Sequence, residues 1–176
     1  ASCLVDFGME DAAGQFARNA EVSALLTRSV RQAQPAGITI TVGAQVSPPG
    51  GRHSQLEDVR AFLDAFNASL AGEIPGLSKV SVQVGTARGG VVMPDGNIAS
   101  LPLDFGLLQQ FSEVVRNEYG LAGVVQYGAS TLPARVLYRF PEAGVCEVHL
   151  ATEFQNILFE HPAFPAELRA EMYAYL

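Results

Sequence analysis

Apolar residues recur along this chain in two periods, and the alternation between the two sets out the fold. Short β-branched or apolar runs occur at residues 3–7, at Ile38, Thr39, Ile40, Thr41 and Val42, at 79–84, around Val124 and Val125, and at 145–150. Each predicts a buried strand. Between them the apolar spacing lengthens to three and four, the mark of one helix face. From Asp11 to about Gln34 the expected buried face is Phe16, Val22, Leu25, Leu26 and Val30, and Pro35-Ala36-Gly37 ends that helix. Ser54 and Glu57 form a capping box ahead of the stripe Leu56, Val59, Leu63, Phe66 and Leu70, with Asp58 and Arg60 turned to solvent. Asp104 is placed to cap a helix carrying Leu107, Leu108, Phe111, Val114 and Val115, with Gly120 as its stop. A short helix to about Phe140, another from near Thr152 and a last one after Pro165, with Leu168, Met172 and Tyr175, complete the set. The loop over 43–53 should be irregular, and 91–98 predicts a hairpin about Pro94-Asp95-Gly96.

Strand and helix thus alternate about five times, which predicts an α/β protein with a parallel sheet and right-handed crossovers. In such folds sites gather at the carboxyl edge of the strands. The turns there are at Asp6, 43–45, 85–88, 126–131 and 149–152. An eight-unit barrel needs about 250 residues. The 176 residues here form one expected domain, 1–176, and fall short of that. Periodicity alone leaves an open doubly wound sheet and a partial barrel both open. The chain also opens directly in a strand, with no leader and no initiating Met, and is expected to be part of something longer.

Composition narrows the functions. At 48% hydrophobic the chain can bury a core, and no apolar run of about 18 residues predicts a membrane span. A net charge of −7 and a pI near 4.9 argue against nucleic acid, which needs clustered Lys and Arg. Cys3 and Cys146 lie in apolar runs, so buried, reduced thiols in a cytoplasmic protein are expected, with a disulfide left open.

The stretch GVVQYGASTLP, 123–133, is the richest in chemistry. A strand about Val124 and Val125 stops at a turn of small residues, and Ser130 or Thr131 with Pro133 signals a helix start. Such a turn offers unpaired N–H groups and the positive end of a helix to an anion such as phosphate, although many αβ-connections of this kind bind nothing. Among acids, Asp6 at a strand end is the leading candidate, or else a turn cap. His149 is a structural or a catalytic histidine. His53 and His161 are expected exposed, and His149, His161 and Glu153 lack a metal-ligand spacing.

Three runs in order, SVQVGTARGGVVMPDG, VVQYGASTLP and EVHLATEFQN, resemble the carboxyl-terminal portion of class II, metal-dependent fructose-bisphosphate aldolases. The likeness is to an aldolase-like subgroup with a His-Gly-Ala-Ser-Thr turn, and it extends from Asp6 to the last helix. It implies a parallel-stranded TIM-barrel type fold, of which about five βα units are present as a partial barrel. It also implies retro-aldol cleavage of a sugar phosphate, with zinc polarising the carbonyl. The metal-ligand positions it implies hold Arg88 and Tyr127. A guanidinium cannot ligate zinc, and a phenol is a poor ligand at neutral pH. The acidic residues of the second strand are replaced by Thr39 and Thr41. Phosphate contacts are implied at Gly85, Gly89, Gly128, Ser130 and Thr152, and His149 stands where the family has an asparagine facing the substrate.

Two functions follow from that resemblance. One is an aldolase-lineage lyase of carbohydrate metabolism, inactive as a zinc aldolase on its own, with Asp6 and His149 as catalytic candidates and no metal bound. The other is a non-catalytic binding or assembly subunit. Under either, a sugar phosphate or phosphate anion is the expected ligand. Unpaired strand edges predict a homo-oligomer or a partner chain covering residues 3–7 and 145–150.

Overall fold

The computed structural model describes residues 12–46, 53–72, 74–85, 103–129 and 132–175, without the side chains of Ala12, Ala13 and Glu153. The strand expected at 3–7, the hairpin at 91–98 and the residues Asp6, Arg88, Gly89, Ser130 and Thr131 lie outside them.

Helix α1 (Ala12–Ala33) leads to β1 (Gly43–Val46), α2 (Leu56–Leu70), β2 (Lys79–Val82), α3 (Phe105–Asn117) and β3 (Val124–Gln126). A 3-10 turn (Ala134–Val136), α4 (Arg139–Glu142), β4 (Glu147–Val148), α5 (Ala151–Glu160) and α6 (Ala166–Tyr175) follow. All pairings are parallel and the strands lie in chain order, β1-β2-β3-β4. Sequential order is that of a barrel segment; a doubly wound sheet reverses its order at a switch point. The expected parallel α/β architecture is present, with four strands among the described residues.

Register separates the sheet into two unlike faces. Ala44, Val80 and Val124 stand in one row and Val46 and Val82 in the next, all essentially without solvent exposure, as is Val84 beyond them. Phe62, Leu63 and Phe66 of α2 and Leu108 and Phe111 of α3 join them in one core cluster. Burying one such phenylalanine contributes roughly 2–3 kcal/mol. The stripe of α2 is as its spacing predicts, with Phe62 added, and in α3 Ser112 takes the place expected for Val114. Asp104 caps α3 as expected, accepting from Leu107 N–H at 2.9 Å. Gly120, left-handed at φ 68°, carries the chain out of that helix.

Four expectations fail. First, α1 buries Phe16, Ala20 and Ala24 with Gln15, Asn19, Ser23 and Thr27, while Leu25 and Leu26 are exposed and Val22 and Val30 half-buried. Small residues let α1 approach α2 closely, and Thr27 meets its own hydrogen-bonding need by donating to Ser23 O at 2.7 Å. Second, the β-branched run 38–42 is no strand. Arg31 donates to Ile40 O (2.6 Å) and Gln34 Oε1 accepts from Ile40 N–H (3.3 Å), so side chains at the end of α1 and just after it occupy the groups a ladder would use. Pairing begins only at Gly43, inside the expected loop and at the expected turn 43–45. Third, Ser54 is no cap. Its hydroxyl donates to Val46 O and accepts from Gln83 N–H, both at 2.9 Å, tying the ends of β1 and β2 together. The capping carboxylate is Asp58, buried rather than solvated, which accepts from Gln55 N–H at 2.8 Å. Fourth, Cys146 is a free thiol at an exposed position rather than in the core.

Candidate functional site at the strand tips

The face away from the helices carries the chemistry. By register and alternation it presents Gly43 and Gln45 from β1, Lys79 and Ser81 from β2, Val125 from β3 and Glu147 from β4. His149 continues that face, its N–H donating to Gln126 O at 2.9 Å. Lys79 stands one pleat below the row of Ser81, Val125 and Glu147, yet its ammonium pairs with the Glu147 carboxylate across β3. Contacts between next-but-one strands are how inner layers of a barrel are built. Glu147 Oε1 also meets His149 Nε2 at 2.7 Å. The hydrogen bond from the Lys79 ammonium, then the one with His149, holds the Glu147 carboxyl below its ordinary range.

A cleft of about 240 Å³ opens on this face, lined by residues of all four strands, Gly43, Lys79, Ser81, Val125, Glu147 and His149 among them. A larger hollow of about 390 Å³ lies at the start of α2, lined by His53, Glu57 and Leu107 among others. The smaller one holds the charged cluster and is the better candidate on chemistry.

At the carboxyl edge, Tyr127 follows β3 and His149 follows β4, their rings edge to face at 6.1 Å. Gly85 beyond β2 and Gly128 beyond β3 both hold left-handed backbone, at φ 70° and 72°, a conformation glycine adopts without strain. Thr152 is the second residue of α5, directly after the tip of β4. So Gly85, Tyr127, Gly128, His149 and Thr152 follow three adjacent strands on one edge of the sheet. Asp6, Arg88, Gly89 and Ser130 lie outside the described residues.

One earlier expectation changes here. The element after the turn at 128–131 is a three-residue 3-10 turn with Pro133 at its cap, followed by the four-residue α4. Elements that short supply little aligned dipole, so any anion there must rely on local N–H groups rather than on a helix end. Sequence reasoning also passed over Lys79 and Glu147. Their signal was available, since Lys79, Ser81 and Gln83 alternate with buried valines, and Glu147 and His149 with partly buried apolar residues.

Among the described residues the donor set does not suit zinc. Among the described residues no three His, Cys, Asp or Glu side chains form a group able to hold a metal. Tyr127 occupies one position implied for a ligand, and its phenol is a poor one. Among the described residues no helix is long and apolar enough to cross a membrane.

Comparison with known proteins yields little. No protein-family model matches the chain, and no curated protein does. Among solved structures it is similar to a putative fructose-1,6-biphosphate aldolase from Coccidioides immitis, at 19% identity and a TM-score of 0.49, over 90% of this chain and 61% of that one. The chain therefore spans less than two thirds of that protein's length, and a likeness of this size does not assign a family.

Proposed function

We propose that this chain is an aldolase-lineage protein of cytoplasmic sugar-phosphate metabolism, which binds a phosphorylated ketose at the carboxyl edge of β2, β3 and β4. One observation supports it above the others. The three runs that resemble class II fructose-bisphosphate aldolases each cross the carboxyl end of a strand, and those three strands are adjacent and parallel. Gly85, Gly89, Gly128, Ser130 and Thr152 are the proposed phosphate-side residues, and Asp6 and His149 the proton-handling ones. With Arg88 and Tyr127 at the ligand positions, the chain does not act as a zinc aldolase.

Metal content and cleavage of fructose 1,6-bisphosphate, measured together, test this. The expected result is neither stoichiometric zinc nor turnover; both together would contradict the loss of metal chemistry. Arg88→His with Tyr127→His is the sharper experiment. Partial recovery of zinc binding is expected, and none would count against the alignment of these positions with metal ligands.

A second reading has its own support. Leu25 and Leu26 on α1, Ile38 and Ile40 ahead of β1, and Phe154, Ile157 and Leu158 on α5 are exposed. Exposed apolar side chains of this number suit an assembly subunit covered by a partner or a second copy. Light scattering over a concentration series tests it: a monomer at all concentrations would remove self-association.

A further inference from the structure

We infer that Glu147 and Lys79 are positioning residues for His149, fixing its imidazole so that Nδ1 stands as a hydrogen-bond acceptor for a hydroxyl of a polyhydroxylated phosphate ester. The class of ligand rests on the function proposed above; the positioning role does not.

An exposed carboxylate beside a histidine is ordinarily worth little, because both side chains move and water competes. Three features remove that freedom here. Glu147 lies in β4 and His149 one residue beyond its end, where its N–H still donates to Gln126 O, so the pleat carries on and sets both side chains on the same face. Lys79 reaches Glu147 from β2, across β3, and its side chain is only 20% exposed, so the carboxylate is held from two strands at once. The Tyr127 and His149 rings pack edge to face. Lys79 and Tyr127 are the titratable groups that touch this pair, and the neighbouring Cys146 thiol feels the charge of Glu147.

An ionised carboxylate only accepts hydrogen bonds, so the Nε2 facing it must be the protonated nitrogen. The neutral ring then carries its lone pair on Nδ1, which has no partner among the described residues. A hydroxyl donates to such a nitrogen, whereas a phosphate oxygen without a proton cannot. His149 is thus suited to the sugar portion of a ligand, and the glycine turns to its phosphate.

The test is the ring-nitrogen spectrum of His149 by proton–nitrogen correlation NMR of the whole chain, at a pH where the ring is neutral. A single Nε2–H tautomer is expected in the unmodified protein, and an Nδ1–H tautomer would overturn the inference without any variant being made. In Glu147→Leu, and separately in Lys79→Met, the single tautomer should give way to a mixture. An unchanged spectrum in both would equally overturn it. Fructose 1,6-bisphosphate should then perturb Nδ1 where inorganic phosphate does not, and Glu147→Leu should weaken its binding about tenfold, one hydrogen bond's worth. A fixed tautomer with no response to the sugar would leave the positioning role standing and sink the sugar-phosphate function instead.

Discussion

The two faces of the sheet are made by the same strands and obey opposite rules. Toward the helices, Ala44, Val46, Val80, Val82, Val84 and Val124 are sealed by α2 and α3. On the other face Lys79, Glu147 and His149 form a half-buried charged chain open to a cleft. One residue of shift along β2 passes from a valine without solvent exposure to an ammonium. Stability is stored on the first face, where area removed from water counts. Chemistry is available on the second, where partial exposure keeps charges ionised and reachable. Substitutions on the two faces should therefore fail in different ways.

The largest effect is expected on the sealed face. Phe66→Ala or Phe111→Ala should cost about 3–5 kcal/mol in urea unfolding, transfer and cavity terms together. A loss below about 1 kcal/mol would mean that this face is not the core. Next comes the junction between the faces, where β3 and β4 begin. A Cβ at Gly123, whose φ is 148°, would lie 2.8 Å from Gly144 O, and Arg116 holds that same oxygen at 2.9 Å. Gly123→Ala should cost about 1–3 kcal/mol through strain. Asp104→Ala, which removes only the cap of α3, should cost about 1 kcal/mol.

Much of the sealed face was legible from sequence because packing and periodicity agree there. The stripe of α2 and the cap of α3 lie where their residue types put them. Two of the failures share a cause: another part of the chain took the hydrogen-bonding groups that a local preference needed. Residues 38–42 have strand composition, but Arg31 and Gln34 take the backbone groups of Ile40. Ser54 has capping chemistry, but Val46 and Gln83 take its hydroxyl. Helix α1 buries its small and polar residues because close approach to α2 outweighs the size of Leu25 and Leu26. At the site, His149 was recognisable from the resemblance. Lys79 and Glu147 were not, because their pairing depends on which strands neighbour each other, and that is set by topology.

The open face should respond to pH more than to truncation. Because Lys79 and His149 favour ionised Glu147, its folded-state pKa lies below the unfolded one. The resulting stability is present above the ordinary carboxyl range and is lost as pH falls through the depressed folded value. Wild type should therefore exceed Glu147→Gln in stability at about pH 7, and the gap should narrow at about pH 3.5. With the carboxylate more than a third exposed, the gap at neutral pH should be under about 1 kcal/mol. A gap that widens in acid would contradict the charge chain. The smallest effect belongs to Arg60 and Glu118, paired at 2.6 Å on the helical exterior with both side chains partly exposed. Arg60→Ala should leave the unfolding midpoint where it is.

The central claim is that the tips of β2, β3 and β4 make one ligand site. Titrating fructose 1,6-bisphosphate into the nitrogen-15-labelled protein tests it most directly. The amides of Gly85, Tyr127, Gly128 and His149 should shift together along one saturating curve, while Thr27 in α1 stays still. Shifts scattered over the surface, or none at those four residues, would contradict it.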